Sequence, residues 1–256
     1  MTVIDRKKGE NMNGQAILAP YDYALFERIR DMGKAHPRVA ILMSGTGSNA
    51  RKILEQRCLY PNLNVVAIGT DRPGFHSAHI ARAFGLQWIL VEQWGQIPFD
   101  REEFFKNLTY RLRALHVDFL IYAGFMKVSP KDFLNEFPGL NMHPADLTIV
   151  TQKGRPKYTG ISAVSYAINA GESYIASTVH VVEETVDSGL IIAVSKHVPL
   201  VFQGLCDAHE LQEKLKHAGE HTLYPQVLAL LSRGKITQDM IPLYAEDQDL
   251  DALIAS

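Results

Sequence analysis

The chain has 256 residues, 26 basic and 28 acidic side chains and a formal net charge of −2. That length supports a large core in one domain or two, and the near balance of charge argues against nucleic-acid or anionic-membrane partners. Two cysteines, Cys58 and Cys206, make neither a disulfide framework nor a metal pattern, and no apolar run approaches a membrane span.

The N-terminal stretch Asp5 to Glu10 is polar and lacks the apolar core of a signal peptide. With so few cysteines, a reducing cytoplasm is the expected compartment. Tyr21, Leu25, Ile29 and Met32 recur at helical spacing, which predicts a helix packed on the domain or on a partner. Arg38 to Met43 is an apolar, β-branched run and reads as a buried strand. A helix from Asn49 to Arg57 follows, then a strand over Leu63 to Ile68, a helix over His76 to Gly85 and a strand over Gln87 to Val91. Asp100 is placed to cap a helix reaching about Leu115, and Val117 to Tyr122 is the fourth strand. Such alternation predicts an α/β fold with a mostly parallel, doubly wound sheet whose ligands bind beyond the C-terminal strand ends. Further on, Ser177 to Val182 and Leu190 to Val198 read as an antiparallel hairpin, followed by a helix from about Leu211 to Leu231. The expected organisation is an N-terminal extension over residues 1–37, a main domain over 38–236 and a mildly acidic tail over 237–256.

Between the first strand and its helix lies Ser44-Gly45-Thr46-Gly47-Ser48-Asn49. Small residues there let backbone N–H groups approach a phosphate at a helix N-terminus. Gly45, Gly47 and Ala50 also satisfy a dinucleotide fingerprint, and Asp71 lies where a ribose-binding acid belongs. From this half alone an NAD-binding protein competes, as does a tight turn with no ligand.

Asn141-Met142-His143-Pro144 carries an amide and an imidazole two residues apart, on one face of an extended segment. Pro144 biases His143 toward that extended backbone. Asn141 can donate to a developing oxyanion, and His143 can carry a proton near neutral pH. Asp187, in the Asp187-Ser188-Gly189 turn, can orient the imidazole or stabilise its charged form. Such a set suits acyl transfer to an amine or to water, although local hydrogen bonding and an ordinary turn are the plainer readings of each piece. His76 and His79, three apart on a helix, have no further ligand nearby, so no metal is expected. His180 lies near the Asp187 turn, lining the site or buried for structure alone.

Six stretches occur in the order found in the folate-dependent formyltransferase family, and together cover about three-quarters of the chain. They are Ile41 to Asn49, Ala123 to Lys127, Asn141 to Pro144, Thr178 to Val182, Asp187 to Gly189 and Gly219 to Pro225. Within that family the chain most resembles the phosphoribosylglycinamide (GAR) formyltransferases. The resemblance implies a Rossmann-like fold and transfer of a formyl group from 10-formyltetrahydrofolate, as co-substrate, to a primary amine. It puts Asn141, His143 and Asp187 on the family's catalytic positions. Gly45, Thr46, Gly47 and Ser48 would hold a substrate phosphate together with Glu220 and Lys216 or His217, where one extra residue near Gly219 disturbs the match. Met126, Lys127 and Val128 would line the folate pocket. Small-molecule substrates and a monomer or homodimer are implied, with no nucleic acid and no membrane. The sequence departs from the family after His143-Pro144, where residues 145–157 form an inserted loop made basic by Lys153, Arg155 and Lys157. Glycinamide ribonucleotide is the expected acceptor. The alternatives are another amine, such as an amino sugar, or hydrolysis of the formyl-folate, and last an NAD-binding Rossmann protein.

Overall fold

The computed structural model describes residues 23–92, 99–200 and 208–256. The polar N-terminal stretch and the segment around Cys206 lie outside them.

The first strand forms where its composition predicts it. β1 (Arg38–Met43) is buried on both faces: Val39, Ile41 and Met43 enter one hydrophobic layer, and Ala40 and Leu42 the other. This alternation is the period-two geometry of an extended chain. It feeds two cores only because helices cover both sides of a parallel sheet. α2 (Ser48–Glu55), β2 (Asn64–Thr70), α3 (Phe75–Ala83) and β3 (Gln87–Leu90) follow. The chain then returns across the sheet through α4 (Arg101–Ala114) to β4 (Phe119–Tyr122). The α4 cap is the one expected, with Asp100 accepting the Glu103 N–H at 2.9 Å. α5 (Lys131–Glu136) and β5 (Gly139–His143) complete a parallel set in the order β3-β2-β1-β4-β5. The order reverses between β1 and β4, and a crevice opens beyond the C-terminal ends of such a pair.

Beyond β5 come α6 (Ala163–Asn169), β6 (Tyr174–Ile175), β7 (Thr178–Val181), β8 (Ile191–Val194) and β9 (Val198–Pro199). β7 runs antiparallel to both β5 and β8, so the expected hairpin is present. α7 (Ala208–Leu215) leads into a π-helical turn (Lys216–Glu220) and then α8 (His221–Ser232). Where one continuous helix was expected, the structure widens for five residues. A π turn absorbs one residue more than an α-helix, and it falls where the sequence was expected to carry an extra residue.

α8 is buried over nearly its whole length, as a helix apolar all round must be. The Tyr224 hydroxyl donates to the Leu140 carbonyl at 2.6 Å, tying α8 to β5. α1 (Tyr23–Lys34) packs on α8 through buried Phe26 and Ile29, so the N-terminal stripe faces the domain. After α8 the chain adds β10 (Leu243–Tyr244), parallel to β8, and α9 (Leu250–Ala255), packed against α8. Its acidic residues hold local structure: Asp249 caps α9, and Glu246 accepts the His197 N–H at 3.0 Å. Among the described residues no helix is long and apolar enough to cross a membrane.

Candidate active site

A cleft of about 590 Å³ opens over the C-terminal ends of β1, β4 and β5. At one end is the glycine loop. Gly47 has φ 77° and precedes α2 with no side-chain cap on the helix. Glycine adopts that backbone without strain, and a Cβ there would also approach the Ile80 and Met43 side chains to 2.6 and 2.7 Å. The uncapped helix end is suited to an anion. Lys216 and Glu220 reach the same end from the π turn. Lys216 Nζ contacts Glu213 at 2.5 Å, and Asn49 Nδ2 donates to Glu220 Oε2 at 2.6 Å. Burial pushes the Glu220 carboxyl up, against the opposing pull of Asn49, Lys216 and Ser177. All six residues expected to surround a phosphate, Gly45 through Ser48, Lys216 and Glu220, line this end. Asn49 joins them; it directly follows the glycine loop and was legible there as a polar residue opening the helix.

Along the other side run Met126, Lys127 and Val128, the segment expected to meet folate. Met126 and Val128 are half-exposed apolar side chains in the cleft, with Ile161 85% exposed opposite. The loop is held from behind: the Met126 N–H donates to Ser44 Oγ at 2.9 Å, and Arg101 Nε to the Val128 carbonyl at 3.0 Å. Lys127 Nζ lies 3.8 Å from buried Asp71 and 4.0 Å from the Phe99 ring centre. Asp71 therefore backs the Met126–Val128 loop and does not line the cleft, which removes the ribose-binding acid of the dinucleotide reading.

In the middle the structure brings Asn141, His143 and Asp187 together. β5 presents Asn141 opposite His180 of β7 and His143 opposite Thr178. Asp187 adopts φ 53°, a left-handed conformation that Asp tolerates better than most residues. Its Oδ2 accepts the Gly160 N–H at 2.7 Å and lies 3.3 Å from His143 Nδ1, while Oδ1 lies 3.5 Å from His180 Nε2. Burial raises the Asp187 carboxyl, but His180, His143 and the Gly160 N–H outweigh it and hold the group below its ordinary value. His143 Nε2 is 2.8 Å from the Tyr158 carbonyl. Both partners of this ring are acceptors, so only the imidazolium satisfies both. Burial nevertheless dominates and holds His143 below its ordinary 6.5; Asp187 pulls upward and His180 downward. The sequence reading expected Asp187 to raise this pKa. The carboxylate does act in that direction, but the ring is only 4% exposed, and desolvation of the cation wins.

That balance has a measurable consequence. In the free protein the His143 Hε1 resonance should titrate with a midpoint below 6.5. Asp187→Asn should lower it further, because the raising charge goes and the burial stays. A midpoint that rises in the variant would remove Asp187 as the stabilising partner.

The inserted loop takes no part in the lining, which passes from Pro144 to Gly160. Backbone bonds close it, Thr151 N–H to the Arg155 carbonyl and Lys157 N–H to the Ile149 carbonyl, both at 2.8 Å. Asp146 anchors its base, accepting the Thr148 N–H at 2.9 Å and the Tyr174 hydroxyl at 3.2 Å. Lys157 pairs with Glu172 at 3.1 Å and does not line the cleft. His79 of the weighed pair stacks on Phe75, ring centres 5.0 Å apart.

The sequence profile of the family described as formyl transferase matches residues 37–228. The chain belongs to the formyl transferase family. Membership implies a formyl-folate co-substrate. The phosphoribosylglycinamide formyltransferase of Haemophilus influenzae is 30% identical over 209 residues, covering 78% of this chain and 89% of the relative. The trifunctional purine biosynthetic protein adenosine-3 of Drosophila melanogaster is 30% identical over 237 residues, 91% of this chain. The chain spans only 16% of that longer relative. Among solved structures, glycinamide ribonucleotide transformylase 1 from Symbiobacterium toebii superposes with a TM-score of 0.67 at 26% identity, covering 90% of this chain and 94% of that one.

Proposed function

We propose that this family member transfers the formyl group of 10-formyltetrahydrofolate to the primary amine of glycinamide ribonucleotide. The observation that carries the reading is one continuous cleft. It joins an uncapped helix end flanked by Lys216, an apolar wall at Met126 and Val128, and Asn141, His143 and Asp187 between them. The phosphate of a ribonucleotide fits the first, a folate ring system the second, and the formyl carbon lies between. The names of the Haemophilus and Symbiobacterium relatives support the same acceptor.

Attack of the amine on the formyl carbon places negative charge on the formyl oxygen. An Asn141 N–H directed at that oxygen stabilises it more in the transition state than in the ground state, which is what accelerates the step. His143 rests neutral and takes up the proton released by the amine. The resulting imidazolium is then held between the Tyr158 carbonyl and Asp187 and adds positive charge beside the oxyanion. Asp187 keeps the ring in place through both steps, and the proton passes on to the departing folate nitrogen.

The test is product formation from 10-formyltetrahydrofolate with and without glycinamide ribonucleotide, beside His143→Ala. Formyl transfer that requires the ribonucleotide and falls by about 10²–10⁴ in the variant is expected, the usual worth of a general acid–base group. Deformylation of the folate without the acceptor would replace this reading by hydrolysis.

A further inference from the structure

Asp187 separates two imidazoles, and the second has no role in the chemistry above. His180 is 2% exposed and stands directly across the strand pair from Asn141. Its two nitrogens have unlike neighbours. Nδ1 lies 2.8 Å from the Val181 carbonyl, which can only accept, so Nδ1 carries a hydrogen. Nε2 lies 3.0 Å from Asn141 Nδ2 and 3.5 Å from Asp187 Oδ1. A bare Nε2 would accept from the amide, whereas a protonated Nε2 would turn to the carboxylate. The amide contact has ordinary hydrogen-bond length and the carboxylate contact is at the outer limit. The geometry therefore selects the neutral ring with its hydrogen on Nδ1 and a lone pair aimed at Asn141.

An asparagine amide carries a donor on one side and an acceptor on the other, and it serves an oxyanion in only one of its two orientations. Turned over, it would set its oxygen lone pairs against the oxyanion and against Nε2 together. We propose that His180 is a positioning residue for formyl transfer. It acts as an obligate acceptor that fixes the Asn141 amide with its nitrogen toward the reacting centre. Its tautomer is locked by the Val181 carbonyl, and the positive charge of the site is left to His143. This assignment rests on the formyl-transfer reading. It also explains why the two rings divide their labour: two imidazolium ions on one carboxylate would repel.

Two substitutions separate the hydrogen bond from the bulk of the ring. In His180→Gln the side-chain oxygen reaches the place of Nε2 and can accept from Asn141. In His180→Asn the amide reaches only the place of Nδ1 and leaves Asn141 without its acceptor. His180→Asn should lower kcat by about ten- to a hundredfold, the scale on which misplaced groups cost rate, with KM within about threefold. His180→Gln should recover most of that loss. In an Asn141→Ala background His180→Asn should cost almost nothing further, since residues acting through one another are not additive. Equal losses in the Gln and Asn variants would overturn the proposal, as would a His180→Asn loss that persists in full without Asn141. Nitrogen-15 spectra of the free protein supply a check that needs no substrate and no variant: His180 should show a protonated Nδ1 and a bare Nε2. A proton on Nε2 sinks the assignment. A wild-type protein that formylates nothing refutes the proposed activity instead, whatever those spectra give.

Discussion

Replacing Asn141 by alanine is expected to lower kcat by about 10²–10³, or roughly 2.7–4 kcal/mol of transition-state stabilisation, the measured worth of one oxyanion donor. KM for either substrate should stay within about threefold, because the amide adds its energy only once charge has formed on the formyl oxygen. The fold should survive. Asn141 is half-buried at the cleft, its side chain hydrogen-bonds His180, and β5 is held by its backbone ladders to β4 and β7. Steady-state kinetics beside a thermal melt decide the matter. A variant with normal kcat and raised KM would make Asn141 a binding residue.

The second large effect is expected at a residue with no side chain. A Cβ on Gly189 would lie 1.9 Å from the Val181 carbonyl oxygen and 2.9 Å from its carbon. Those are backbone atoms at the mouth of the β7–β8 pair, where Val181 N–H also bonds the Leu190 carbonyl at 2.9 Å. They cannot swing aside as the end of a flexible side chain can. Gly189→Ala must pry the two strands apart or move the loop, at a cost of about 3 kcal/mol or more, the upper range of overpacking. For a chain of this size that is a fall in Tm of roughly 6–12 °C, at about 2–4 °C per kcal/mol. Activity should fall as well in the still-folded protein, because Asp187 is two residues away and its left-handed backbone is set by the same loop. A variant with unchanged melting temperature and full turnover would show that the strands yield more easily than their spacing implies.

What could be read from the sequence follows physical lines. β1 was legible residue for residue because a strand buried on both faces is apolar throughout. The glycine loop was legible because closely spaced glycines mark backbone that turns tightly or approaches a ligand, and Asn141, His143 and Asp187 stood out because their candidate chemistry resides in side chains. The Tyr158 carbonyl and the Gly160 N–H were not, although they fix His143 and Asp187, because every residue has such groups and only the fold selects which are used. Asp187 raises the His143 pKa as the sequence led one to expect, but the larger, opposite effect of burial was not legible, because a sequence reveals the neighbouring carboxylate and not the depth of burial. β10 has two residues and α5 and α6 have six and seven, too short for periodicity to mark. Lys127 was expected only to line the folate pocket. Its contacts with Asp71 and Phe99 appear once β2 and the loop after β4 are side by side.

α8 gives the fold a further property. The stretch that resembles the family ends at residue 228, inside this helix, and begins after α1. Yet α1 and α9, one from each flank, both lie on α8, with Phe26, Ile29 and Leu250 in the same core as Tyr224 and Val227. The family profile and the packed core therefore draw different borders on this molecule. The stretch matched by the family profile is smaller than the packed core, and a fragment of residues 37–228 would cut α8 part-way along and strip it of α1 and α9.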